Sequence, residues 1–316
     1  MKAAARRVRD GALLALLGSC TPIPSAPPPP EQSEWQPPLP PVARPAEPSR
    51  AFDFAFQGAL SQGSVVVGTA PANAVSVALD GKPIDLAPGG RFLIGFDRDA
   101  PASAVVTAQL ADGSTMRQSI AVQPRQWHIE NLPTLPRGTT PTPEFLRRRS
   151  VELARINAAR SIHSGSIGWE QHFLWPATGR ISGVFGSQRI YAGEPGAYHS
   201  GVDIARPAGT PVVAPADGVV ILAAESPFTL EGNLLMIDHG MGLNSAFLHL
   251  SRIDVKEGQR VTRGQLIGAV GMTGRATGPH LHWSMKWREA RVDPQLLAGP
   301  MPGAAGLQAT PADATD

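Results

Sequence analysis

The sequence predicts an all-β protein, in which a small antiparallel β-sandwich is followed by a second antiparallel β domain. Three observations lead to this prediction. Apolar residues recur in short alternating segments, which is the period of half-buried strands. Turn pairs such as Asp80-Gly81 and Asp112-Gly113 separate these segments. Gly (33) and Pro (32) make up about a fifth of the 316 residues, which favours turns and short strands over a helical bundle.

The charge balance and the cysteine count exclude several classes of function. There are 28 Lys and Arg against 26 Asp and Glu, so the net charge is only +2. Binding to a phosphate backbone requires a concentrated basic surface, and no nucleic-acid partner is therefore expected. The single cysteine, Cys20, excludes an intramolecular disulfide framework and a metal site built from several cysteines.

Residues 1–20 are typical of a secretory signal peptide, with a basic start and a short apolar core over 11–18. The segment ends in Leu17-Gly18-Ser19-Cys20, which resembles a bacterial lipobox. The resemblance implies cleavage before Cys20 and a lipid anchor on it, which would hold an exported, periplasmic protein on a membrane. An ordinary signal peptide with a chance cysteine is the alternative. Thr21 stands where Asp often retains lipoproteins at the inner membrane, which favours the outer membrane.

Residues 51–124 are predicted to form the small sandwich. Phe52, Phe54 and Phe56 alternate, and about seven short strands fit into this segment. That number of strands predicts an immunoglobulin-like antiparallel sandwich. The segment contains no histidine and no catalytic constellation. We interpret it as a spacer or a binding module.

Three other segments are predicted to lie outside the two β domains, two as linkers and one as a C-terminal tail. Residues 21–50 hold twelve of the 32 prolines, which predicts an extended spacer. Residues 125–172 are predicted to be a linker with one helix, which begins at Thr142-Pro143-Glu144. Residues 298–316 are small and polar and are predicted to be a disordered tail.

The predicted helix combines an apolar face with a set of arginines. Leu146, Leu153 and Ile156 fall on one face. We interpret the arginines as a solvated face, with a binding site for an anion as the alternative. They are Arg147, Arg148, Arg149, Arg155 and Arg160.

Residues 173–297 are predicted to form the second β domain, and five of the eight histidines lie between 199 and 282. In a strand, His280 and His282 point to the same face, as do His199 and Asp203. Two imidazoles and one carboxylate make a mononuclear zinc site with one open position. An iron site of two histidines and one carboxylate uses the same donors, so the donor count leaves both metals open.

Four stretches of this domain resemble motifs of the lysostaphin/LytM-type zinc endopeptidases of bacterial cell walls. The first metal motif corresponds to Tyr198-His199-Ser200-Gly201-Val202-Asp203-Ile204. The other stretches are residues 209–218, Ala246-Phe247-Leu248-His249-Leu250-Ser251 and residues 273–283. Phe247-Leu248 stands where Tyr-Ala is usual in the family. The resemblance covers about 125 residues, in the family's order and spacing.

The resemblance implies that His199, Asp203 and His282 bind one zinc ion. It also implies that His249 and His280 stay unligated and act on water and substrate. We favour His249 as the general base, although the two roles could be exchanged. All five positions are filled, whereas degenerate members of the family lack ligands and activate other hydrolases.

The expected function is hydrolysis of peptidoglycan cross-link peptides by a zinc-dependent D,D-endopeptidase during cell-wall remodelling. The alternative is a non-catalytic LytM-domain regulator that activates a cell-wall amidase. An amidase or a divisome protein is therefore a candidate partner. The segment 125–172 could cover the site, as a segment from elsewhere in the chain does in some members of the family.

Overall fold

The computed structural model describes residues 53–136, 141–224 and 226–302. The predicted signal peptide (1–20), the lipidation site Cys20, the spacer (21–50), Phe52 and residues 303–316 of the predicted tail lie outside the described residues. These assignments stay predictions.

Seven short strands between residues 55 and 121 pair into two antiparallel sheets. The first sheet has the order β1-β2-β5, with β1 (Ala55–Gln57), β2 (Val65–Thr69) and β5 (Arg91–Gly95). The second has the order β4-β3-β6-β7, with β3 (Ala74–Leu79), β4 (Lys82–Ile84), β6 (Ser103–Leu110) and β7 (Thr115–Ala121). Phe92 is fully buried, and Phe54 and Phe56 meet it edge to face. The antiparallel β character is confirmed, and the immunoglobulin-like type stays a prediction.

An eight-stranded antiparallel sheet dominates the second half of the described chain. Its order is β18-β14-β15-β16-β20-β12-β9, and β21 pairs with β20. Its strands are β9 (Arg180–Gly183), β12 (Gly201–Ala205), β14 (Gly218–Ala223), β15 (Asn233–Gly240), β16 (Leu243–Leu250), β18 (Arg260–Val261), β20 (His280–Trp287) and β21 (Ala290–Val292). The all-β prediction is confirmed by this architecture.

Two small sheets complete the strands of the described residues. One has the order β13-β19-β17, with β13 (Pro211–Val213), β17 (Arg252–Ile253) and β19 (Leu266–Ala269). The other has the order β11-β10-β8, with β8 (Ile129–Leu132), β10 (Gln188–Tyr191) and β11 (Glu194–Pro195). Strand β8 runs parallel to β10, so the predicted linker contributes a strand beside the segment that precedes His199.

The long helix α1 (Pro143–Arg160) begins where the sequence predicts it. The Thr142 hydroxyl accepts a hydrogen bond from the Phe145 N–H at 3.1 Å and caps the helix. The predicted apolar face is wrong in part, because Leu146 and Leu153 are 54% and 42% exposed. The helix instead packs on the large sheet through Ile156, next to Met236 and Ala246. The shorter helices are α2 (Pro294–Ala298) and two 3₁₀ turns, Pro88–Gly90 and Gly168–Glu170.

The first two sheets and the large sheet share one hydrophobic core. Trp287 of β20 lies against Gly95 of β5 so closely that a Cβ at Gly95 would be 2.9 Å from the Trp287 Cβ. The boundaries at residues 124 and 172 stay predictions. In the described part of the chain, no helix combines the length and the apolarity needed to cross a membrane.

Candidate metal centre

Two neighbouring strands bring the predicted metal ligands together. In the register of β12 and β20, Asp203 lies directly opposite His282. His199 precedes β12, and its backbone N–H and C=O bond to Ser187 O and Gly186 N at 2.8 Å each. These backbone bonds hold the His199 side chain beside the Asp203–His282 pair.

The donor atoms of these three residues form a small triangle. His199 Nε2 is 3.1 Å from Asp203 Oδ1 and 3.1 Å from His282 Nδ1. His282 Nδ1 is 2.8 Å from Asp203 Oδ1. Ligands about 2.0–2.1 Å from a tetrahedral zinc ion lie roughly 3.3 Å apart, so the triangle has the size that zinc requires. The group could hold a metal ion, and it consists of the three residues that the sequence predicts as ligands.

Contacts behind the triangle fix its orientation. His199 Nδ1 donates a hydrogen bond to Val184 O at 3.1 Å, which turns Nε2 toward Asp203 and His282. A Cβ at Gly183 would overlap the Asp203 carboxylate, so the absence of a side chain there makes room for the site. The side chains of His199 and Asp203 are 23% and 21% exposed, so solvent reaches the site.

The protonation states of the triangle suit metal binding. Burial opposes ionisation of Asp203, but hydrogen bonds from His199 and His282 hold the pKa of this carboxyl well below its usual range. Burial lowers the pKa of His282, which keeps its imidazole neutral. Burial works against protonation of His199 too, but the hydrogen bond and charge of Asp203 raise its pKa. A metal cation would displace this proton, because ligands bind metals in their deprotonated form.

His249 and His280 lie next to the triangle, with their ring centroids 4.8 Å apart. His249 Nδ1 donates to Thr273 O at 2.8 Å, and His280 Nδ1 donates to Gly278 O at 2.8 Å. Both Nε2 atoms are therefore free to face a substrate. The Nε2 atom of His280 is 3.8 Å from Asp203 Oδ1. Burial lowers the pKa of His249 to about 4.

The end of strand β16, which carries His249, is unusual in its backbone. His249 has φ = 63°, a left-handed conformation that costs energy for a residue with a Cβ. Its N–H donates to Glu231 O at 2.8 Å. Helix α1 holds the β14–β15 loop that contains Glu231, because Arg149 binds the Glu231 carboxylate with two hydrogen bonds of 2.6 Å each. Glu152 accepts bonds from Thr229 in the same loop, at 2.7 Å from N and 2.6 Å from Oγ1.

The sandwich region holds the other side of the site. The buried Arg98 donates to Gly186 O at 2.9 Å and to Gln188 Oε1 at 3.1 Å, in the turn that bonds to His199. The Tyr198 hydroxyl donates to Asp97 Oδ1 at 2.8 Å. Sequence reasoning missed the contact of Arg98 with Gly186, because the two residues lie 88 positions apart and no local pattern links them.

The remaining histidines have no part in the cluster. His239 is fully buried, where Nδ1 donates to Asp217 O at 2.8 Å and Nε2 accepts from the Ser245 hydroxyl at 2.9 Å. Burial lowers the pKa of His239 to about 4. His128, His163 and His172 are exposed. The geometry as a whole is that of a metallopeptidase-type site on an antiparallel sheet.

Comparisons with known proteins agree with this class. Residues 197–294 match peptidase family M23. A solved peptidase M23 structure from Pseudomonas aeruginosa is 32% identical, and the match covers 76% of this chain and 95% of that chain with a TM-score of 0.58. The chain belongs to peptidase family M23, as its resemblance to the LytM-type enzymes implies.

Two curated relatives match over shorter segments. Peptidoglycan DD-endopeptidase ShyA of Vibrio cholerae is 44% identical over 123 residues, which are 39% of this chain and 28% of that protein. Cell division protein DipM of Caulobacter vibrioides is 34% identical over 164 residues, which are 50% of this chain and 25% of that protein. The chain thus spans between a quarter and a third of the length of these relatives.

Proposed function

We propose that this protein is a zinc-dependent D,D-endopeptidase that hydrolyses peptidoglycan cross-link peptides during cell-wall remodelling. The main support for the proposal is that five side chains lie close together at one place on the sheet. A possible metal-binding group of three lies beside two histidines that each have one free nitrogen. The similarity to ShyA, which is named a peptidoglycan DD-endopeptidase, supports the substrate class.

His199, Asp203 and His282 would hold the zinc ion. When bound, zinc supplies Lewis-acid chemistry, since it polarises a peptide carbonyl and makes water more acidic. Asp203 contributes the negative charge of the ligand set, because its pKa lies well below neutrality as hydrogen bonds from both histidines outweigh its burial. Val184 O and the backbone of residues 186 and 187 keep His199 in place.

His249 and His280 would perform the proton transfer and the stabilisation of charge. The Nδ1–H of His249 is committed to Thr273 O, so its Nε2 carries the lone pair that accepts a proton from water. Burial lowers its pKa to about 4, so the imidazole is neutral at neutral pH. The Nδ1–H of His280 is committed to Gly278 O, and its Nε2 lies 3.8 Å from Asp203 Oδ1, so that once Nε2 carries a proton it can donate a hydrogen bond to the developing oxyanion. The two roles could be exchanged.

The proposed location follows from the sequence and from the substrate. Peptidoglycan lies outside the cytoplasm, so an enzyme that cuts it must be exported. We propose a periplasmic protein held on the outer membrane by a lipid on Cys20. This anchor and the spacer over 21–50 would let the folded part reach the cell wall.

The test is digestion of purified Gram-negative sacculi by the full-length, detergent-solubilised protein, with and without a zinc chelator. Released muropeptides are separated by liquid chromatography and identified by mass spectrometry. We expect loss of cross-linked dimers that stops with the chelator and in His249→Ala. The exposed-histidine variant His128→Ala is the matched control and keeps full activity.

A second outcome is defined by the similarity to Cell division protein DipM. If the zinc-loaded protein leaves all dimers intact but increases the activity of a cell-wall amidase, the endopeptidase proposal is overturned. The non-catalytic regulator then replaces it, with an amidase or a divisome protein as partner.

A further inference from the structure

A cleft of about 910 Å³ lies away from the metal ligands, at the junction of three elements. These elements are the β3–β4 hairpin, the C-terminal turn of α1 and the β20–β21 turn. Arg160 at the end of α1 and Lys286 on β20 both line this cleft. Neither residue has a part in the metal centre described above.

Arg160 is a half-buried cation at the C-terminal end of α1. Within the described ranges, its Nε is buried without a hydrogen-bond partner. Glu289 and Glu231 act on it through their charges, without a hydrogen bond. Burial lowers the pKa of Arg160, and the charge of Arg291 lowers it further. A buried guanidinium nitrogen without a hydrogen-bond partner is costly, and such an atom in a folded protein requires an explanation such as a bound ion or ligand.

Two more cations adjoin Arg160. Lys286 and Arg291 are cross-strand partners in the register of β20 and β21. The Lys286 side chain is only 16% exposed, and its one ion pair, at 3.3 Å, is with the fully exposed Glu289. Burial lowers the pKa of Lys286, and the charge of Arg160 is the next cause. The three cations therefore act on one another and have little compensation.

The three acidic residues of the cleft lining, Asp80, Asp85 and Glu289, already have partners, and Glu289 pairs with Lys286 within the cleft. Asp85 pairs with Arg288 at 3.2 Å. Asp80 accepts a hydrogen bond from the Val105 N–H at 2.8 Å. The lining carries four cations, Lys82, Arg160, Lys286 and Arg288, against these three carboxylates, so its net charge is positive, and the chemistry that fits it is a carboxylate or another small anion.

The cleft is in line with the metal centre along β20. Side chains alternate along a strand, so His282, Ser284 and Lys286 share one face. Lys286 follows His282 by four residues, which is about 13 Å along a strand. Between them the side chains are small, because Ser284 lies opposite Gly201 of β12. This path has the length of about four residues of an extended peptide.

Two further contacts connect the cations with the metal centre. The Arg291 guanidinium lies over the ring of Tyr198, 5.5 Å from its centroid, and Tyr198 directly precedes His199. Helix α1 places Arg149 beside the β14–β15 loop that bonds to His249, and it places Arg160 at the cleft. Their separation of eleven residues corresponds to about 16 Å, close to the distance along β20.

We propose that Arg160, Lys286 and Arg291 form a subsite that binds a free carboxylate of the cell-wall peptide while its cross-link lies at the metal centre. This inference rests on the proposed function, because it takes the cross-linked peptide as the substrate. Peptidoglycan stem peptides carry free carboxylates a few residues from the cross-link. The subsite would select substrates by that charge.

The test compares two substrates and three variants of the full-length protein. The substrates are a cross-linked muropeptide dimer with free carboxylates and the same dimer with its carboxylates amidated. The variants are Arg160→Gln, Lys286→Gln and the control Arg147→Gln, which removes an exposed arginine from the same helix. Thermal unfolding checks each fold, and Arg160→Gln should retain the wild-type Tm, because it removes an unpaired charge.

On the free-carboxylate dimer, we expect Arg160→Gln and Lys286→Gln each to raise KM about tenfold, with kcat within about twofold of wild type. Amidation should raise the wild-type KM by a similar factor and leave these variants nearly unaffected. Arg147→Gln should match wild type on both dimers. Equal KM values for all proteins, or the same loss on both dimers, would overturn the subsite.

A binding measurement separates this inference from the proposed function. Calorimetry with the inactive His249→Ala protein gives Kd for both dimers, with and without Arg160→Gln. If the wild-type protein cleaves neither dimer, the proposed function fails, and the binding data still decide the subsite. A tenfold preference for the free-carboxylate dimer that Arg160→Gln removes supports it, and equal Kd values refute it.

Discussion

The turn next to His199 and the β14–β15 loop that bonds to His249 are the two sides of the metal centre, and they are held in different ways. The His199 side is held from the sandwich by Arg98, whose side chain is only 7% exposed and bonds to a backbone carbonyl. The His249 side is held from α1 by the Arg149–Glu231 ion pair, whose side chains are 16% and 14% exposed. Arg98 and Arg149 both precede residue 197, where the family match begins.

This difference indicates how each side should respond to substitution. A buried side chain that bonds to backbone carbonyls leaves unsatisfied groups behind when it is removed. A partly exposed ion pair is screened by solvent, and its loss costs less. The metal-ligand side should therefore depend strongly on the sandwich, while the base side should respond more mildly to the helix.

The largest expected effects separate metal binding from proton transfer. His199→Ala and His249→Ala should each lower kcat/KM on peptidoglycan dimers by about 10³-fold or more. Only His199→Ala should lose zinc, as measured by elemental analysis of the purified protein. Loss of zinc in His249→Ala would contradict the division of the site into ligands and base, and His172→Ala serves as the exposed control.

The next effect concerns His239, which lies in the core away from both sides of the site. Burial depresses its folded pKa to about 4, from an ordinary value of 6.5, so the unfolded state takes up the proton first as the pH falls. The contribution of His239 to the free energy of unfolding is complete above pH 6.5. It falls by about 3 kcal/mol between pH 6.5 and pH 4. Denaturant unfolding of wild type and His239→Gln at pH 7, 5.5 and 4 measures this. The variant should lose less stability over the range, and an equal loss would rule out His239 as its source.

Removal of Arg98 should be the most damaging change to either support. Arg98→Ala leaves Gly186 O without its partner and exposes the Tyr198 ring, so we expect a loss of about 2 kcal/mol in unfolding free energy. Zinc affinity should fall as well, since Gly186 bonds to His199. A chelator competition titration reports the affinity, with the exposed Arg117→Ala as the control. Unchanged zinc affinity would show that the sandwich does not position His199.

The smallest effect is expected at Arg149. Arg149→Gln should cost about 1 kcal/mol in stability and lower kcat several-fold, because the ion pair is partly solvated. Zinc content should stay at the wild-type level, and Arg149→Lys should recover only part of kcat, since lysine lacks the two-pronged geometry. Steady-state kinetics beside Arg147→Gln provide the comparison. If Arg149→Gln lost a larger fraction of its zinc than of its kcat, the assignment of zinc binding to the His199 side and of proton transfer to the His249 side would be contradicted.

The sequence predicted those parts of the molecule that depend on chain neighbours. The period-2 pattern predicts the strands, and in the structure His280 and His282 occupy one strand. The Thr142-Pro143 pair predicts the start of α1, because an N-cap and a first-turn proline act within one helical turn. The spacing of the motifs identified the family, and the structure brings its five positions to one place.

The tertiary structure alone decided which distant residues support that place. Arg98 and Gly186 are 88 positions apart, and Arg149 and Glu231 are 82 positions apart. Strand β8 is also part of this group, because its parallel pairing with β10 joins segments about 60 residues apart. Local periodicity reflects backbone geometry that each residue shares with its neighbours. The buried guanidinium of Arg98 contacts its carbonyl acceptor only after the sheets and the helix have packed. No local sequence pattern therefore predicts this contact.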